Sequence, residues 1–291
     1  MKFEFFVSLR YLMAKRKQAF FSIITVISII SVTIGVMTLI TVLGVMSGFE
    51  NDLKEKILGT NAHIRIFKFD KGIENYPYVS SQIAKITGVM ATTPFIYSEA
   101  MLSSEAAVSG IVLLGINPET VAQVTNLKQN LIKGNLDNLR HPGLPGLPPH
   151  APTLPGIFIG KELAKLFGLS FLDEVTVISP LGEQTPMGMV PKMKKFRIVG
   201  IFDSGMYEYD SKWAYIFLPT AQQFFQMGDA VSGIEVKVAN PFEAHTIAGA
   251  INTKLGFSYQ ARDWMEMNKN LFSALRIEKI ISSMTAILKF Y

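Results

Sequence analysis

From Gln18 to Phe49 the sequence runs 32 residues without a charged side chain, directly behind a basic cluster of Arg10, Lys15, Arg16 and Lys17. At about 1.5 Å per residue a helix of that length is roughly 48 Å long, against about 30 Å of bilayer hydrocarbon. The segment is therefore expected to cross a membrane and to project about three turns beyond it. A cleavable signal peptide has a shorter apolar stretch ending at a small-x-small site, and neither feature is present, so the span is expected to persist. Lys15, Arg16 and Lys17 precede it without an acid among them, whereas Glu50, Asp52 and Glu55 are interleaved with Lys54 and Lys56 after it. That asymmetry predicts a cytoplasmic N-terminus. Phe3, Phe5, Phe6, Leu9, Leu12 and Met13 place apolar groups on one side of a leading helix, with Arg10 and Lys15 positioned to snorkel. Residues 1–17 thus read as an amphipathic segment on the inner membrane surface, 18–49 as the span and 50–276 as an external domain.

The external stretch exceeds two hundred residues, enough for one large or two small cores. A net charge of +5, without interleaved aromatic and basic residues, argues against a nucleic-acid partner. With no cysteine there is neither a disulfide framework nor a thiolate metal site. His63, His141, His150 and His245 lack the short spacings of metal ligands, so neither metal nor cofactor is expected. Catalytic motifs fail too. Gly156-Ile-Phe-Ile-Gly160-Lys161-Glu162 imitates a phosphate loop but is one residue short between its glycines, with Glu162 where a magnesium-binding hydroxyl belongs. A short helix, Lys161 to Phe167, stopped by Gly168, explains it better. The nucleophile elbow, the H-E-x-x-H helix and the dinucleotide fingerprint are absent from the sequence, and no catalytic residue is assigned.

β-Branched and aromatic runs predict strands near Thr92–Leu102, Ala106–Leu114, Glu174–Ser179, Phe196–Phe202, Trp213–Leu218 and Ile234–Val238. Helices are expected over Ser80–Thr87, Pro118–Val124, Pro219–Gln226 and Pro241–Leu255, the last with Asn240 as cap and Glu243 three residues on. The fold class is α+β: a long N-terminal transmembrane helix, then a mixed domain. The Pro/Gly-dense stretch between Asn138 and Gly156 marks an exposed loop or a boundary between two subdomains. A final helix starts at the cap Asp263 and runs through Trp264, Leu271, Ala274 and Leu275 into Ile280–Leu288. Its nine-residue apolar run is too short to span a bilayer. Residues 277–291 therefore read as the truncated start of a second membrane helix.

Three collinear motifs point to a family. They are Gly48-Phe49-Glu50-x-x-Leu53-Lys54-x-Lys56-Ile57-Leu58-Gly59-x-Asn61-Ala62-His63-Ile64 after the span, Gly115-Ile116-Asn117-Pro118-Glu119 in the middle, and Trp264-x-x-x-Asn268-x-x-Leu271-Phe272-x-Ala274-Leu275-x-x-Glu278-Lys279 near the end. Together they resemble the permease subunits of the lipoprotein-releasing ABC transporter, the LolC/LolE family. The resemblance implies a four-span, non-catalytic inner-membrane protein with a large MacB-like periplasmic core between its first two spans. It also implies the partners: a cytoplasmic ABC ATPase subunit, a second permease subunit (the same or a paralogue), a periplasmic lipoprotein carrier, the lipoprotein substrate and membrane lipid. Spans two (mostly), three and four of that pattern are missing here, with the cytoplasmic loop that would couple to the ATPase.

Between two of the expected strands lies Pro180-Leu-Gly-Glu-Gln-Thr-Pro-Met-Gly-Met-Val-Pro-Lys-Met-Lys-Lys195, a connection of 16 residues. Loops of such length inside compact domains are usually functional or disordered. Pro186 and Pro191 stiffen it, Gly188 permits a sharp turn, and Met187, Met189 and Val190 offer adaptable apolar surface. Gln184-Thr185-Pro186-Met187-Gly188 is similar to the hook with which one permease type of the family captures the carrier. The family also uses basic surface beside the hook; Lys194 matches one such position, and Val175 stands where another is expected.

Within the span, Ser31-x-x-x-Gly35 and Gly44-x-x-x-Gly48 are spaced for close helix packing. In the family the first span lines the cavity that lipid chains enter, which implicates Val42, Met46 and Phe49 as lipid contacts. The competing function class is a membrane sensor whose external ligand-binding domain sits between two spans. That reading requires a cytoplasmic output domain after the second span and no hook.

Overall fold

The computed structural model describes residues 3–4, 6–7, 10, 19–69, 72–105, 107–140, 153–185 and 188–288. Contacts divide the chain into a compact unit Lys54–Asn268 and a second unit of Met1–Leu53 with Lys269–Tyr291.

Helix α1 begins at Ala19 and runs unbroken to Thr60, 42 residues. Most of its apolar side chains face outward, Ile23, Ile27, Ile34 and Val45 among them, as a helix solvated by lipid requires. The hydroxyls of Ser28, Thr33, Thr38 and Thr41 each donate to the carbonyl four residues back, 2.8–2.9 Å. Polar groups in a span thus find partners inside the helix. Of the expected amphipathic segment, residues 3–4, 6–7 and 10 are helical and the rest lies outside the described residues.

The unit Lys54–Asn268 is built on ten strands: β1 (Ile64–Lys68), β2 (Val89–Ser103), β3 (Val108–Ile116), β4 (Leu131–Gly134), β5 (Gly156–Gly160), β6 (Glu174–Thr185), β7 (Gly188–Phe202), β8 (Trp213–Phe217), β9 (Gly233–Val238) and β10 (Tyr259–Asp263). The helices are α2 (Tyr76–Ile83), α3 (Pro118–Val124), α4 (Leu127–Asn130), α5 (Lys161–Phe167), α6 (Tyr207–Asp210), α7 (Leu218–Phe225), α8 (Ala244–Leu255) and α9 (Trp264–Met267); α10 (Lys269–Leu288) belongs to the other unit.

Strand β2 organises the unit. One of its edges pairs β3; the other pairs β9 over Val89–Phe95 and β6 over Met101–Ser103. Toward β9 the sheet is open and antiparallel, in the order β10-β1-β9-β2. Toward β6 the pairings β2-β3-β8-β5-β7-β6-β2 close a six-stranded ring. The two-subdomain expectation thus takes the form of an open sheet and a closed ring sharing one strand. Most of the Pro/Gly-dense stretch lies outside the described residues.

Period-two patterning fills the ring. Register links Val177 to Leu102, Ala100 to Ile111, Leu113 to Ala214, Ile216 to Ile157, Ile157 to Ile198 and Phe196 to Val175. All of these side chains are buried, while Tyr97, Met101 and Met193 at the alternate positions are exposed. Each large apolar side chain buried this way contributes about 1.5–3 kcal/mol. α7 closes one end by setting Phe224 edge-on to Phe196 at 6.2 Å. Outside the ring, Val121, Leu127, Leu136 and Leu139 cover Phe95, Leu114, Phe158 and Phe202.

Several elements differ from the sequence expectation. β1, β4, β5 and β10 were not anticipated. The expected helix at Ser80–Thr87 starts earlier, at Tyr76, and ends at Ile83. The Pro241–Leu255 helix opens with a 3-10 turn, Pro241–Glu243, under the predicted Asn240 cap. The final helix breaks at Asn268, whose side chain donates to the Trp264 carbonyl, 2.8 Å, and so separates α9 from α10.

Candidate partner-docking hairpin

The 16-residue segment expected to be a loop is a continuation of the ladder. β6 and β7 pair from Glu174–Arg197 outward through Ser179–Lys192, and again from Glu183–Val190 to Thr185–Gly188. The connection is reduced to Pro186 and Met187, which lie outside the described residues. Prolines caused the misreading. Pro180 and Pro191 sit where three residues of β6 face one of β7, and this bulge absorbs the ladder bonds that proline cannot donate. β-Pairing thereby stiffens an arm whose tip holds the predicted residues. Gln184, Thr185, Gly188 and Met189 are in register there, and Val190 exposes 51% of its surface.

Lys194 stands at the base of the arm, half-buried and level with Val177. Its Nζ donates to Gln223 Oε1 of α7, 3.3 Å. Burial, and secondarily the charge of Lys192, hold its pKa below the usual lysine value. Gln223 was not anticipated, because nothing in a sequence reveals which helix faces a strand end. Val175 makes no surface contact: it is buried inside the ring opposite Phe196.

The residues assigned to the span all lie on α1. Ser31, Val42, Gly44, Gly48 and Phe49 are exposed, whereas Gly35 and Met46 share a half-buried stripe with Leu39, Leu43 and Glu50. A Cβ at Gly44 or Gly48 would meet nothing within 4 Å.

The imitation phosphate loop is structural. Gly156–Gly160 is a fully buried strand, and Gly160 lies against the Asp210 backbone so closely that a side chain would collide. Lys161 pairs with Asp203 at 2.7 Å, which raises the pKa of the lysine and lowers that of the carboxylate. Among the described residues no group of three or more His, Cys, Asp or Glu side chains is arranged to hold a metal ion. His63 is buried against Val238, and His245 pairs with Asp263 at 2.8 Å. His141 and His150 are outside the described residues.

Residues 25–254 match the family model of the MacB-like periplasmic core domain. The chain is similar to the lipoprotein-releasing system transmembrane protein LolC of Xylella fastidiosa (strain Temecula1 / ATCC 700964), 32% identical over 275 residues that cover 94% of this chain and 63% of the relative. LolC of Neisseria meningitidis serogroup B is 30% identical over 280 residues, 95% of this chain and 64% of that one. The chain thus spans just under two thirds of the length of these relatives. Among solved structures, the periplasmic region of MacB from Actinobacillus actinomycetemcomitans superposes with a TM-score of 0.46 at 14% identity, over 74% of this chain and 94% of that one. The kinship that the three motifs suggest is therefore found in whole-chain comparison, and the chain belongs to the family of the MacB-like periplasmic core domain.

Proposed function

We propose that this chain acts as a permease subunit of an ABC transporter that extracts lipoproteins from the inner membrane and hands them to a periplasmic carrier. In this reading the N-terminus is cytoplasmic, α1 crosses the membrane and the β-rich unit lies in the periplasm. ATP hydrolysis belongs to a separate cytoplasmic subunit, and a second permease completes the membrane part. The observation that carries the reading is the β6–β7 arm. It is a paired ribbon whose outermost register pair is Thr185 and Gly188, with Pro186 and Met187 between them in the sequence and lysines at its base, and it stands in a chain similar over 94% of its length to a LolC protein. A prestiffened apolar finger docks at low ordering cost, as capture by a carrier with a hydrophobic cavity requires. Ser31, Gly35, Gly44 and Gly48 then suit packing against neighbouring spans, and Val42, Met46 and Phe49 suit contact with lipid.

The test removes the tip alone. Glu183 and Val190 are a register pair, so replacing Gln184–Met189 by Asn-Gly closes the hairpin with a favoured two-residue turn. The shortened chain is expected to fold, with its thermal unfolding unchanged, and to lose the carrier. Retention of the carrier would refute the reading of the arm.

A further inference from the structure

Two carboxyl groups converge on the turn between β7 and α6, which passes through Ser204 and Gly205, the latter in the left-handed region at φ +74°. Asp210, at the end of α6 and 3% exposed, accepts the Ser204 N–H on Oδ1 at 2.8 Å, and Asp203 accepts the Gly205 N–H on Oδ1 at 3.1 Å. Because these amides are consecutive, the two carboxyl groups are neighbours, close enough to share a proton. Lys161, at the start of α5, donates to the other Asp203 oxygen at 2.7 Å; Glu162 beside it is engaged by Lys165 at 2.7 Å. From β8 the buried phenol of Tyr215 faces the pair and stays neutral, its pKa raised by burial. Behind Asp210 the Gly160 backbone leaves no space. An amide at position 210 would satisfy Ser204 equally well; the acid adds a group that titrates. Next to it in α6, Tyr209 holds the chain where it leaves α1: its Oη accepts from Asn61 Nδ2 at 2.9 Å, and its ring lies 4.2 Å from that of Trp213.

We propose that α6 is a proton-operated latch: a proton shared by Asp203 and Asp210 draws the turn closed and keeps Tyr209 on Asn61, and ionisation of both carboxyl groups loosens that hold. The latch lies wholly within Lys54–Asn268 and does not depend on the function proposed above. Lys161 decides which carboxyl carries the proton. Its hydrogen bond holds Asp203 below the ordinary carboxyl value of 3.8, whereas burial, and after it the Asp203 charge, push Asp210 above that value against the Ser204 hydrogen bond. In the closed turn Asp210 donates to Asp203 while its Oδ1 keeps the Ser204 N–H. Loss of the proton sets two negative charges side by side against one lysine, a repulsion that partial burial strengthens. Gly160 blocks the inward path, so Asp210 relaxes outward and carries Tyr209 with it. Between 3.8 and the raised Asp210 value the native chain binds more protons than the unfolded one. This contribution to stability is therefore full below 3.8 and is lost as the pH rises through the raised value, while the lowered Asp203 acts only below 3.8.

The test labels the full chain in detergent with 5-fluorotryptophan and follows the fluorine resonances from about pH 7.5 to about pH 4. The chain has two tryptophans, Trp213 and Trp264, and Trp264→Phe assigns them. The Trp213 resonance is expected to shift with a midpoint above 3.8. Asp210→Asn, whose amide donates to Asp203 at every pH, is expected to abolish the shift and hold the resonance at its acid position. Asp203→Asn removes the charge that raises Asp210 and should move the midpoint toward 3.8; it decides the matter if Asp210→Asn fails to fold. A Trp213 resonance that does not titrate, or that titrates alike in wild type and these variants, overturns the latch. The hold on Asn61 is read by hydrogen exchange over Gly59–His63. Tyr209→Phe should lose more protection there at acid than at neutral pH; equal loss at both overturns the transmission to Asn61. His63 titrates in all of these proteins and cancels in the comparison.

Discussion

Asn252 and Ala261 exchange two hydrogen bonds: the Ala261 N–H donates to Asn252 Oδ1 at 2.7 Å, and Asn252 Nδ2 donates to the Ala261 carbonyl at 3.2 Å. Ala261 lies in β10, the last strand of the open sheet, so a side-chain amide from α8 occupies the position a further strand would take. Sheet edges left open invite pairing with other chains. Asn252→Leu leaves both backbone groups of a buried residue without partners and is expected to cost about 1–3 kcal/mol. Thermal unfolding should register the loss, and light scattering should show association that wild type lacks.

Beneath the junction of open sheet and ring, Arg65 of β1 and Glu235 of β9 face each other in register and pair at 2.7 Å. The guanidinium also lies 5.5 Å from the Phe95 ring centre and 5.9 Å from that of Trp213. With side chains only 13% and 7% exposed, each charge depends on the other. Glu235→Gln is expected to destabilise by about 3 kcal/mol, whereas Arg65→Met with Glu235→Leu should cost less than that single change, because no unpaired charge remains. Unfolding midpoints of the three variants decide the order; a double variant worse than the single would contradict it.

These two pairs also show what a sequence can and cannot reveal. Trp213–Phe217 and Ile234–Val238 were legible from their β-branched and aromatic runs. β5 was not, because Gly-Ile-Phe-Ile-Gly is buried on both faces and too short to distinguish strand from helix start. β10, Tyr-Gln-Ala-Arg-Asp, is polar because it is an edge strand, and its partner Asn252 is recognisable only in three dimensions. The pairing that organises the arm was hidden by two prolines which a bulge tolerates.

His63, buried where the chain passes from α1 into β1, gives a pH signature. Burial lowers its pKa from the ordinary 6.5, opposed by its contact with the Val238 backbone and helped by Lys237. The unfolded chain therefore binds more protons than the native one between the lowered value and 6.5, so stability rises with pH across that window. It is fully present above about pH 6.5 and is lost as the pH falls below. His63→Asn should flatten that part of the profile, read as the melting temperature from pH 7.5 to 5.5; an unchanged slope would assign the acid sensitivity elsewhere.

Orientation has a direct readout. Tyr207 is 68% exposed at the start of the short helix α6 in the β-rich unit. Because the basic cluster precedes the span, a reporter fused there is expected to be active only outside the cytoplasm. Cytoplasmic activity would overturn the proposed topology.

The arm itself should divide its contribution unequally. In the sequence Met187 follows Pro186 between Thr185 and Gly188, the outermost register pair of β6 and β7. An apolar tip that enters a carrier's cavity is fully desolvated on binding, so Met187→Glu buries a charge without a partner and is expected to weaken binding by about 3–5 kcal/mol. Pro186→Glu adds the same charge and releases a backbone constraint, so it should be at least as damaging. In the proposed docking Lys194 is a rim charge: it is half-buried and held by Gln223, and its loss should cost about 1 kcal/mol, with the difference from wild type shrinking as salt rises. Titration of the carrier against the four proteins at two salt concentrations orders these effects. A Lys194→Ala variant that loses more than Met187→Glu would move the binding energy from the tip of the arm to its base.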